Sequence, residues 1–200
     1  MNSIQTFQFL ESRGKASLNP NFKIYDEDHE LILKLVAYFT NNQQACENYA
    51  ISLRKGIMLS GPVGCGKTSL MRLFNTLLLP QFKYQVRSCR DISYEFNRDG
   101  YTVIHKYSSG SYNRGLHKLY CFDDLGTENH LKFYGVECNV MAEILLSRYD
   151  QFCLQGLQTH LTTNLTSMDI EEQYGKRVRS RMREMFNLLS FDAGSKDKRV

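Results

Sequence analysis

The chain has 200 residues, of which 42% are hydrophobic, and a formal net charge of +4. This length and apolar content can bury one full α/β core and leave little room for a second domain. No apolar run reaches the roughly 18 residues of a membrane span, and the polar start Met1-Asn2-Ser3 is typical of neither a signal peptide nor a transit sequence. We therefore expect a cytoplasmic protein without a membrane partner. The mild positive charge permits a nucleic-acid partner without requiring one.

The first 50 residues are expected to form a helical appendage, and residues 51–200 the domain itself. Within the appendage, the segment from Asp28 to Phe39 places Leu31 and Leu35 at helical spacing, so this helix should pack on the domain. The appendage shows no recognisable docking motif. It is nevertheless the segment expected to select a protein partner.

Beyond residue 50, apolar runs alternate with helical patterns. The runs are expected to be strands and cover Gly56–Ser60, Tyr84–Cys89, Lys118–Phe122, His160–Thr163 and Leu188–Phe191. The helical patterns between them cover Ser69–Leu79, Cys138–Leu154 and Val178–Phe186. This alternation predicts βαβ units, and hence an α/β fold with helices on both faces of a parallel sheet.

A phosphate-binding loop follows the first predicted strand. Residues Gly61 to Thr68 read Gly-Pro-Val-Gly-Cys-Gly-Lys-Thr and fill every fixed position of G-x-x-x-x-G-K-[ST]. The glycines let backbone N–H groups turn toward the nucleotide, Lys67 reaches the β- and γ-phosphates, and the Thr68 hydroxyl binds Mg²⁺. The sequence therefore predicts a nucleotide site. The residues expected to line it are Gly61, Pro62, Val63, Gly64, Cys65, Gly66, Lys67, Thr68 and Ser69.

Residues 87–118, here called the aromatic-basic segment, interleave cations with aromatic rings. The cations are Arg90, Arg98, Lys106, Arg114 and Lys118, and the rings are Tyr94, Phe96, Tyr101, Tyr107 and Tyr112. This composition suits a groove that tracks a nucleic-acid backbone and stacks bases, so single-stranded DNA is an expected partner. The alternative is that the rings pack an insertion onto the core, since Asp91, Glu95 and Asp99 dilute the positive field. Residues 100–117 are expected to be the most flexible insertion.

Two carboxylates end the third predicted strand. Asp123 and Asp124 directly follow the apolar run that ends at Phe122. Ligands bind at the C-terminal edge of a parallel sheet. Asp123 is expected to hold Mg²⁺, directly or through water, and Asp124, turned the other way by the pleat, to orient or deprotonate the attacking water. The alternative is a plain turn, for which Asp-Asp-Leu-Gly is ordinary chemistry, but a complete phosphate loop upstream favours function.

The next predicted strand also ends in polar residues. Asn164 is expected to position the lytic water or to contact the γ-phosphate. The alternative is that these residues cap a helix around Thr166 to Gln173, because Asn and Thr favour N-caps. Both interpretations hold if Asn164 serves the site while Thr166 or Ser167 forms the cap.

Five basic side chains lie within the eight residues from Lys176 to Arg183, with no acid among them. Helical spacing places Val178 and Met182 on the buried stripe and Arg181 one step away from it. A guanidinium so close to an apolar face is expected to be held at a protein interface, which favours an arginine finger acting on a neighbour's phosphates. The alternative is a solvated basic face.

Together these segments resemble the AAA+ ATPases, and within them the DnaC/IstB group of helicase loaders and transposition ATPases. The resemblance covers about residues 50–192. It is carried by Gly61–Thr68, Phe122–Gly126, Leu145–Tyr149, Thr163–Leu165 and Tyr174–Met182. It implies a P-loop NTPase fold of the AAA+ type, which is a three-layer sandwich with a five-stranded parallel sheet of order 5-1-4-3-2 and an absent or minimal lid subdomain.

The resemblance also implies a homo-oligomer that binds ATP and Mg²⁺ at its subunit interfaces. It makes Asn164 the sensor, Arg181 the arginine finger and Arg177 a second candidate finger. Because Asp124 stands where these ATPases often have Glu, hydrolysis is expected to be slow and to be stimulated by oligomerisation, DNA or a partner. Glu128 is a reserve candidate for the base. The implied function is an ATP-dependent assembly switch in DNA replication or transposition, foremost DnaC-like loading of a replicative helicase.

Three other functions remain open at the level of sequence. The first is an IstB-like transposition ATPase that acts with a transposase. The second is a small-molecule kinase, which needs an acceptor pocket and usually an arginine-bearing lid. The third is a regulatory P-loop protein that binds ATP and seldom hydrolyses it. The late arginine cluster beside a Thr-Asn strand end favours the assembly switch over the kinase.

Overall fold

The computed structural model of the chain describes residues 2–113, 116–128, 131–133 and 136–199. These residues divide into two compact units. The first combines the N-terminal segment through Leu53 with Ser60–Lys83 and the segment from Leu189 onward. The second combines Arg54–Leu59 with Tyr84–Leu188. Over the described ranges, none of the helices has the length and apolar content needed to cross a bilayer.

The order of helices and strands follows the predicted alternation. The helices are α1 (Ser3–Ser17), α2 (His29–Phe39), α3 (Gln43–Asn48), α4 (Lys67–Leu77), α5 (Cys89–Asp99), α6 (Thr102–Tyr107), α7 (Val140–Gln155) and α8 (Ser167–Met185). The strands are β1 (Gly56–Ser60), β2 (Tyr84–Ser88), β3 (Tyr112–Asn113), β4 (Leu116–His117), β5 (Leu119–Leu125), β6 (Leu131–Phe133), β7 (Val136–Cys138), β8 (Thr159–Thr163) and β9 (Phe186–Ser190).

Five of these strands form one parallel sheet in the order β2-β5-β8-β1-β9. Counted along the chain as strands 1 to 5 of this sheet, they lie in the order 2-3-4-1-5, which is 5-1-4-3-2 from the opposite edge. The predicted fold class and strand order are therefore confirmed. The remaining short strands form two antiparallel pairs, β3 with β4 and β6 with β7.

The central strands are buried along almost their whole length, as strands of a sheet covered on both faces must be. All five residues of β8 are buried. Four of them, Thr159, His160, Thr162 and Thr163, are polar and therefore need hydrogen-bond partners inside the protein. This requirement positions the groups that end the neighbouring strand β5.

In the first unit, the N-terminal helices pack on the helix that follows the phosphate loop. Leu31 and Leu35 are buried, so the predicted apolar stripe of α2 is confirmed. Phe39 at the end of α2 stacks on Phe74 of α4, with 5.0 Å between the ring centroids. Helix α1 also contacts α4. The phosphate loop therefore leads into a helix that two N-terminal helices contact.

The segment predicted as a flexible insertion contains helix α6. Val103 and Tyr107 anchor this helix, because both side chains are about 1% exposed. Sequence patterns also missed α5, which begins at the N-cap Ser88, whose hydroxyl accepts a hydrogen bond from the Asp91 N–H at 3.3 Å. Both helices are short and rich in polar residues, which hides their buried positions.

Candidate functional site

The phosphate loop joins β1 to α4 through three glycines whose backbone angle φ is positive. The values are 152° for Gly61, 80° for Gly64 and 104° for Gly66. Glycine adopts such angles without the steric penalty that a Cβ brings. The sequence Gly-x-x-Gly-x-Gly is therefore required by the path of the backbone at this turn.

Lys67, the first residue of α4, folds back along the loop. Its ammonium group donates hydrogen bonds to the carbonyl oxygens of Gly61 at 2.9 Å and Pro62 at 2.8 Å, and the residue is 5% exposed. Both acceptors are neutral, so neither cancels the ammonium charge. The lysine therefore ties the start of the loop to its end and keeps a positive charge inside it. Cys65 is buried beside it, and burial raises the pKa of the thiol, which keeps it neutral.

In the second unit, one hydroxyl group organises both carboxylate residues at the end of β5. The Thr162 hydroxyl donates to Asp123 Oδ1 at 2.6 Å and accepts from the Asp124 N–H at 2.9 Å. Thr162 is fully buried and Asp123 is 8% exposed. The strand register shifts between Phe122 and Leu125, and Asp124 has a φ of 56°. A bulge, and not the regular pleat that the sequence suggested, sets the direction of Asp124.

Glu128, the reserve candidate for a base, is already bound by two donors. One carboxylate oxygen accepts from the Gly126 N–H at 2.9 Å, and the other accepts a short hydrogen bond from the Tyr174 hydroxyl. Burial raises the pKa of Tyr174, so this hydroxyl stays protonated and able to donate. These contacts give Glu128 a structural role, because they tie the turn after β5 to helix α8.

Asn164 follows β8 and has an exposed side chain. The cap of helix α8 is Thr166, whose hydroxyl accepts from the Asp169 N–H at 3.2 Å while the Asp169 carboxylate accepts from the Thr166 N–H at 2.8 Å. This reciprocal pair is a capping box. Capping therefore uses Thr166, as the sequence allowed, and leaves Asn164 for another role.

The basic segment begins where helix α8 is interrupted. Gly175 has φ 86° and ψ 160°, which breaks the helix between Tyr174 and Lys176. Beyond the break, Val178 and Met182 are buried, so the predicted apolar stripe is confirmed. The break changes the direction of the chain immediately before the arginines.

Arg181 is half-buried, and its guanidinium carbon lies 4.2 Å from the centroid of the Tyr149 ring on α7. The Tyr149 hydroxyl donates to Glu184 at 2.7 Å, and this hydrogen bond raises the pKa of Tyr149 to about 12. A cation over an aromatic face is held without losing its charge. Arg177 is exposed, whereas Arg179 forms an ion pair with Glu171 at 2.7 Å.

The rings of the aromatic-basic segment fall into two groups. Phe96 and Tyr107 are buried in the core, as the alternative interpretation expected. Tyr94 and Tyr101 are 54% and 53% exposed. The side chain of Tyr112 lies outside the described residues. Only Tyr94 and Tyr101, among the described rings of the segment, therefore present exposed faces.

Three cations of the same segment are paired with acids. Arg98 contacts Asp99 at 2.7 Å, Lys106 contacts Glu95 at 2.6 Å, and Arg90 lies 4.0 Å from Asp91. Arg114 lies outside the described residues. These exposed pairs are weak and can rearrange, but they reduce the positive field that a nucleic acid would meet.

Arg148 is a buried cation whose role was not evident from the sequence. It is 0% exposed, and burial lowers its pKa to about 10. Its guanidinium donates to Thr159 Oγ1 at 2.6 Å, to the Tyr107 carbonyl at 3.1 Å and to the Gln158 carbonyl at 3.2 Å. It therefore fastens α6 and the start of β8 to α7. The sequence feature that could have indicated this buried role is a basic residue within the apolar pattern of a helix.

Three features define the fold as that of a P-loop NTPase of the AAA+ type. They are a parallel sheet of order 2-3-4-1-5, a glycine-rich loop between its first strand and a helix, and an acidic pair that ends its third strand. No protein-family model and no curated protein sequence matches the chain.

Solved structures do match it. One is the DnaC helicase loader, with 17% identity and a TM-score of 0.61, over 91% of this chain and 99% of that one. Another is DnaI, with 18% identity and a TM-score of 0.58, over 90% and 93%. A third is the replication initiator DnaA bound to AMPPCP and single-stranded DNA, with 18% identity and a TM-score of 0.54, over 90% of this chain and 50% of that one. The predicted resemblance to DnaC-type AAA+ proteins is thereby confirmed for the fold.

Proposed function

We propose that this chain binds ATP and acts as an ATP-dependent assembly switch in DNA replication, foremost as a loader of a replicative helicase. The observation that carries the proposal is the phosphate loop, in which three glycines with positive φ surround a lysine with an uncancelled charge. The loop lies in a fold similar to DnaC over nearly the full length of both chains. The loop supports nucleotide binding, and the similarity suggests the process.

The residues present suit ATP with Mg²⁺. Backbone N–H groups of the loop and the Lys67 ammonium offer positive potential to the phosphates. The Thr68 hydroxyl and the Asp123 carboxylate are oxygen ligands of the kind that Mg²⁺ prefers. Bound Mg²⁺ would neutralise phosphate charge. The hydrogen bond from Thr162 supports this role for Asp123, because it fixes the orientation of the carboxylate.

Asp124 and Asn164 are proposed to orient the attacking water. The Asp124 N–H donates a hydrogen bond to the Thr162 hydroxyl, and the strand bulges at this position. The backbone therefore sets the direction of the Asp124 carboxylate. Its side chain is shorter than that of Glu, and Glu128 is occupied by two donors. We therefore expect slow ATP turnover that rises when the protein assembles or meets its partner.

Arg181 is proposed to complete a neighbour's ATP site in a homo-oligomer, with Arg177 as the second candidate. The Tyr149 ring supports Arg181 from one side and keeps its charge available. An arginine that neutralises charge on the transferred phosphoryl group acts mainly through such positioning. Single-stranded DNA is the proposed partner of Tyr94 and Tyr101, and the appendage through residue 50 is the proposed docking segment for the helicase.

The test is the size of the protein with and without a non-hydrolysable ATP analogue, repeated with single-stranded DNA. Wild-type protein should assemble on the analogue and grow further on DNA. Lys67→Ala should neither bind the analogue nor assemble, whereas Lys83→Ala, which removes an exposed lysine outside the loop, should behave as wild type. A wild-type protein that binds the analogue and stays monomeric would contradict the switch and favour a regulatory ATP-binding protein.

A further inference from the structure

Residues 192–199, here called the strap, follow β9 and lie on the phosphate loop within the first unit. The Lys198 N–H donates to the Gly64 carbonyl at 3.0 Å. The Asp197 carboxylate lies against the same glycine, since a Cβ built on Gly64 would come within 2.1 Å of Asp197 Oδ1. The strap thus places a negative charge directly against a loop built to bind anions.

The side chain of Lys198 anchors the strap. Its ammonium lies 2.5 Å from Asp28 and 3.4 Å from Glu27. It also lies 5.0 Å from the ring centroids of Tyr25 and Phe191. The Lys198 side chain is 12% exposed and that of Asp28 is 7% exposed, so this ion pair is shielded from solvent. Opening the strap would separate this pair and leave the shielded Asp28 carboxylate without its partner, so the pair opposes opening.

The start of the strap is fixed to the loop as well. Immediately before it, the Phe191 N–H donates to the Ser60 carbonyl at 2.9 Å. The Phe191 side chain packs on Gly61, because a Cβ built there would lie 2.8 Å from Phe191 Cβ. The strap is therefore held to the loop region at both of its ends.

We propose that the strap is an autoinhibitory element that competes with nucleotide for the phosphate loop. Two features support competition. Asp197 brings a carboxylate to a loop whose ligand carries several negative charges, so this carboxylate and the phosphates repel each other. The hydrogen bond from Lys198 to Gly64 also fixes the loop in the conformation that accepts the strap. This inference rests on the proposed binding of ATP.

The size of the effect follows from the fraction of molecules whose strap is open. A strap that is closed about nine-tenths of the time lowers the apparent affinity for nucleotide about tenfold. Release of the strap by a partner that competes for Lys198 or Asp197 would raise that affinity by the same factor. ATP binding would then depend on the partner being present.

The experiment measures the dissociation constant of a non-hydrolysable ATP analogue for the full chain. Lys198→Ala removes the anchor and should bind the analogue about tenfold more tightly. Lys196→Ala removes the same charge from an exposed position two residues earlier and should bind as wild type does. Asp197→Asn keeps the anchor and removes the negative charge, and should bind about fivefold more tightly at low salt, with a smaller gain at high salt.

A second measurement uses the wild-type protein, in which Asp28 keeps its ion-pair partner Lys198. In wild-type protein, the Lys198 amide should exchange its hydrogen faster once the analogue is added, because the bond to Gly64 is broken. Unchanged or weaker binding by Asp197→Asn and Lys198→Ala, with unchanged exchange in the wild type, would overturn the strap and leave the proposed function intact. If neither the wild-type protein nor the variants bind the analogue, both the strap proposal and the proposed function are overturned.

Discussion

The Thr162 hydroxyl is a single group on which two proposed site residues depend. It donates to the Asp123 carboxylate and accepts from the Asp124 N–H, and it is buried where no solvent can replace it. Asp124 has a positive φ, which aspartate tolerates better than most non-glycine residues and which the hydrogen bond to Thr162 helps to fix. We therefore propose that Thr162 positions the two carboxylates.

Thr162→Val keeps the shape of the side chain and removes the hydroxyl. The variant leaves the Asp124 N–H without its acceptor, which costs about 1–3 kcal/mol of stability. It also frees the Asp123 carboxylate to rotate, so Mg²⁺ should strengthen nucleotide binding less than in the wild type. The measurement compares the affinity for an ATP analogue with Mg²⁺ and with a chelator. Thr162→Ser should restore the Mg²⁺ effect, and a valine variant with the full effect would rule out this role.

His160 is a buried neutral histidine beside this site on β8. Its Nδ1 accepts from the Ile57 N–H at 3.1 Å, and burial lowers its pKa from 6.5 to about 3. The unfolded chain therefore takes up a proton as the pH falls below about 6.5, while the folded chain stays neutral down to about 3. The contribution of His160 to the free energy of unfolding is therefore complete above pH 6.5, and it is lost as the pH falls from 6.5 to about 3.

His160→Asn replaces the ring by an amide that can accept from Ile57 but does not titrate. We expect the variant to be less stable at neutral pH, because it loses ring packing, and to lose less stability on acidification. The difference in slope should approach about 1.4 kcal/mol per pH unit within the window. Urea unfolding of both proteins at several pH values measures it. Parallel pH profiles for the two proteins would show that His160 does not control the acid response.

At the scale of elements, Gly56 lies directly against the backbone of the neighbouring strand β8. A Cβ built on Gly56 would lie 1.6 Å from the Thr159 carbonyl oxygen, which belongs to the backbone of β8 and cannot turn aside. Strand β1 leads directly into the phosphate loop. The spacing of β1 and β8 therefore depends on the absence of a side chain at this position.

Gly56→Ala should destabilise the protein by about 3 kcal/mol or more, since the two strands must separate to admit the methyl group. Gly156→Ala is the matched control. Gly156 ends α7 with a φ of 70° and has open space around it, so its alanine variant should lose only about 1 kcal/mol from backbone strain. Chemical denaturation measures both. Equal losses would show that the strands adjust without cost.

The sequence predicted those parts of the fold that depend on local patterns. Strand β1 was placed from Gly56 to Ser60, where the structure has it, because an apolar run meets a glycine loop there. Strand β9 begins at Phe186, two residues before its predicted start, because α8 passes into β9 without a turn residue to mark the boundary. The interruption of α8 at Gly175 lies between the two segments that the sequence treated as separate helices, around Thr166 to Gln173 and from Val178 to Phe186.

Local sequence patterns could not predict the contacts between the side chains of the candidate site. The contact of Thr162 with Asp123 depends on the register of two strands that are far apart in the chain. The contact of Glu128 with Tyr174 and the position of the strap depend on tertiary packing in the same way. The sequence thus predicts which residue types form a nucleotide site, and the structure adds the residues that orient or restrain them.

At the scale of the whole molecule, Arg181 is the residue that one chain is proposed to supply to the ATP site of another. Arg181 is supported by Tyr149, and the described structure shows no carboxylate paired with it. Arg181→Ala should leave binding of an ATP analogue to the monomer unchanged and should lower ATP turnover by the assembled protein about 10³-fold, as loss of an arginine finger does. Arg183→Ala removes an exposed cation two residues along the same helix and should turn over ATP at the wild-type rate.

Mixing two inactive variants tests whether the arginine acts between chains. Lys67→Ala lacks the phosphate-binding lysine but carries an intact Arg181, and Arg181→Ala has the converse defect. Each alone should be inactive. In a mixed assembly, some interfaces pair an intact Lys67 with an intact Arg181 from the neighbour, so ATP turnover should return to a substantial fraction of the wild-type rate. A mixture that assembles on nucleotide and stays inactive would show that Arg181 does not act in trans, whatever its effect within its own chain.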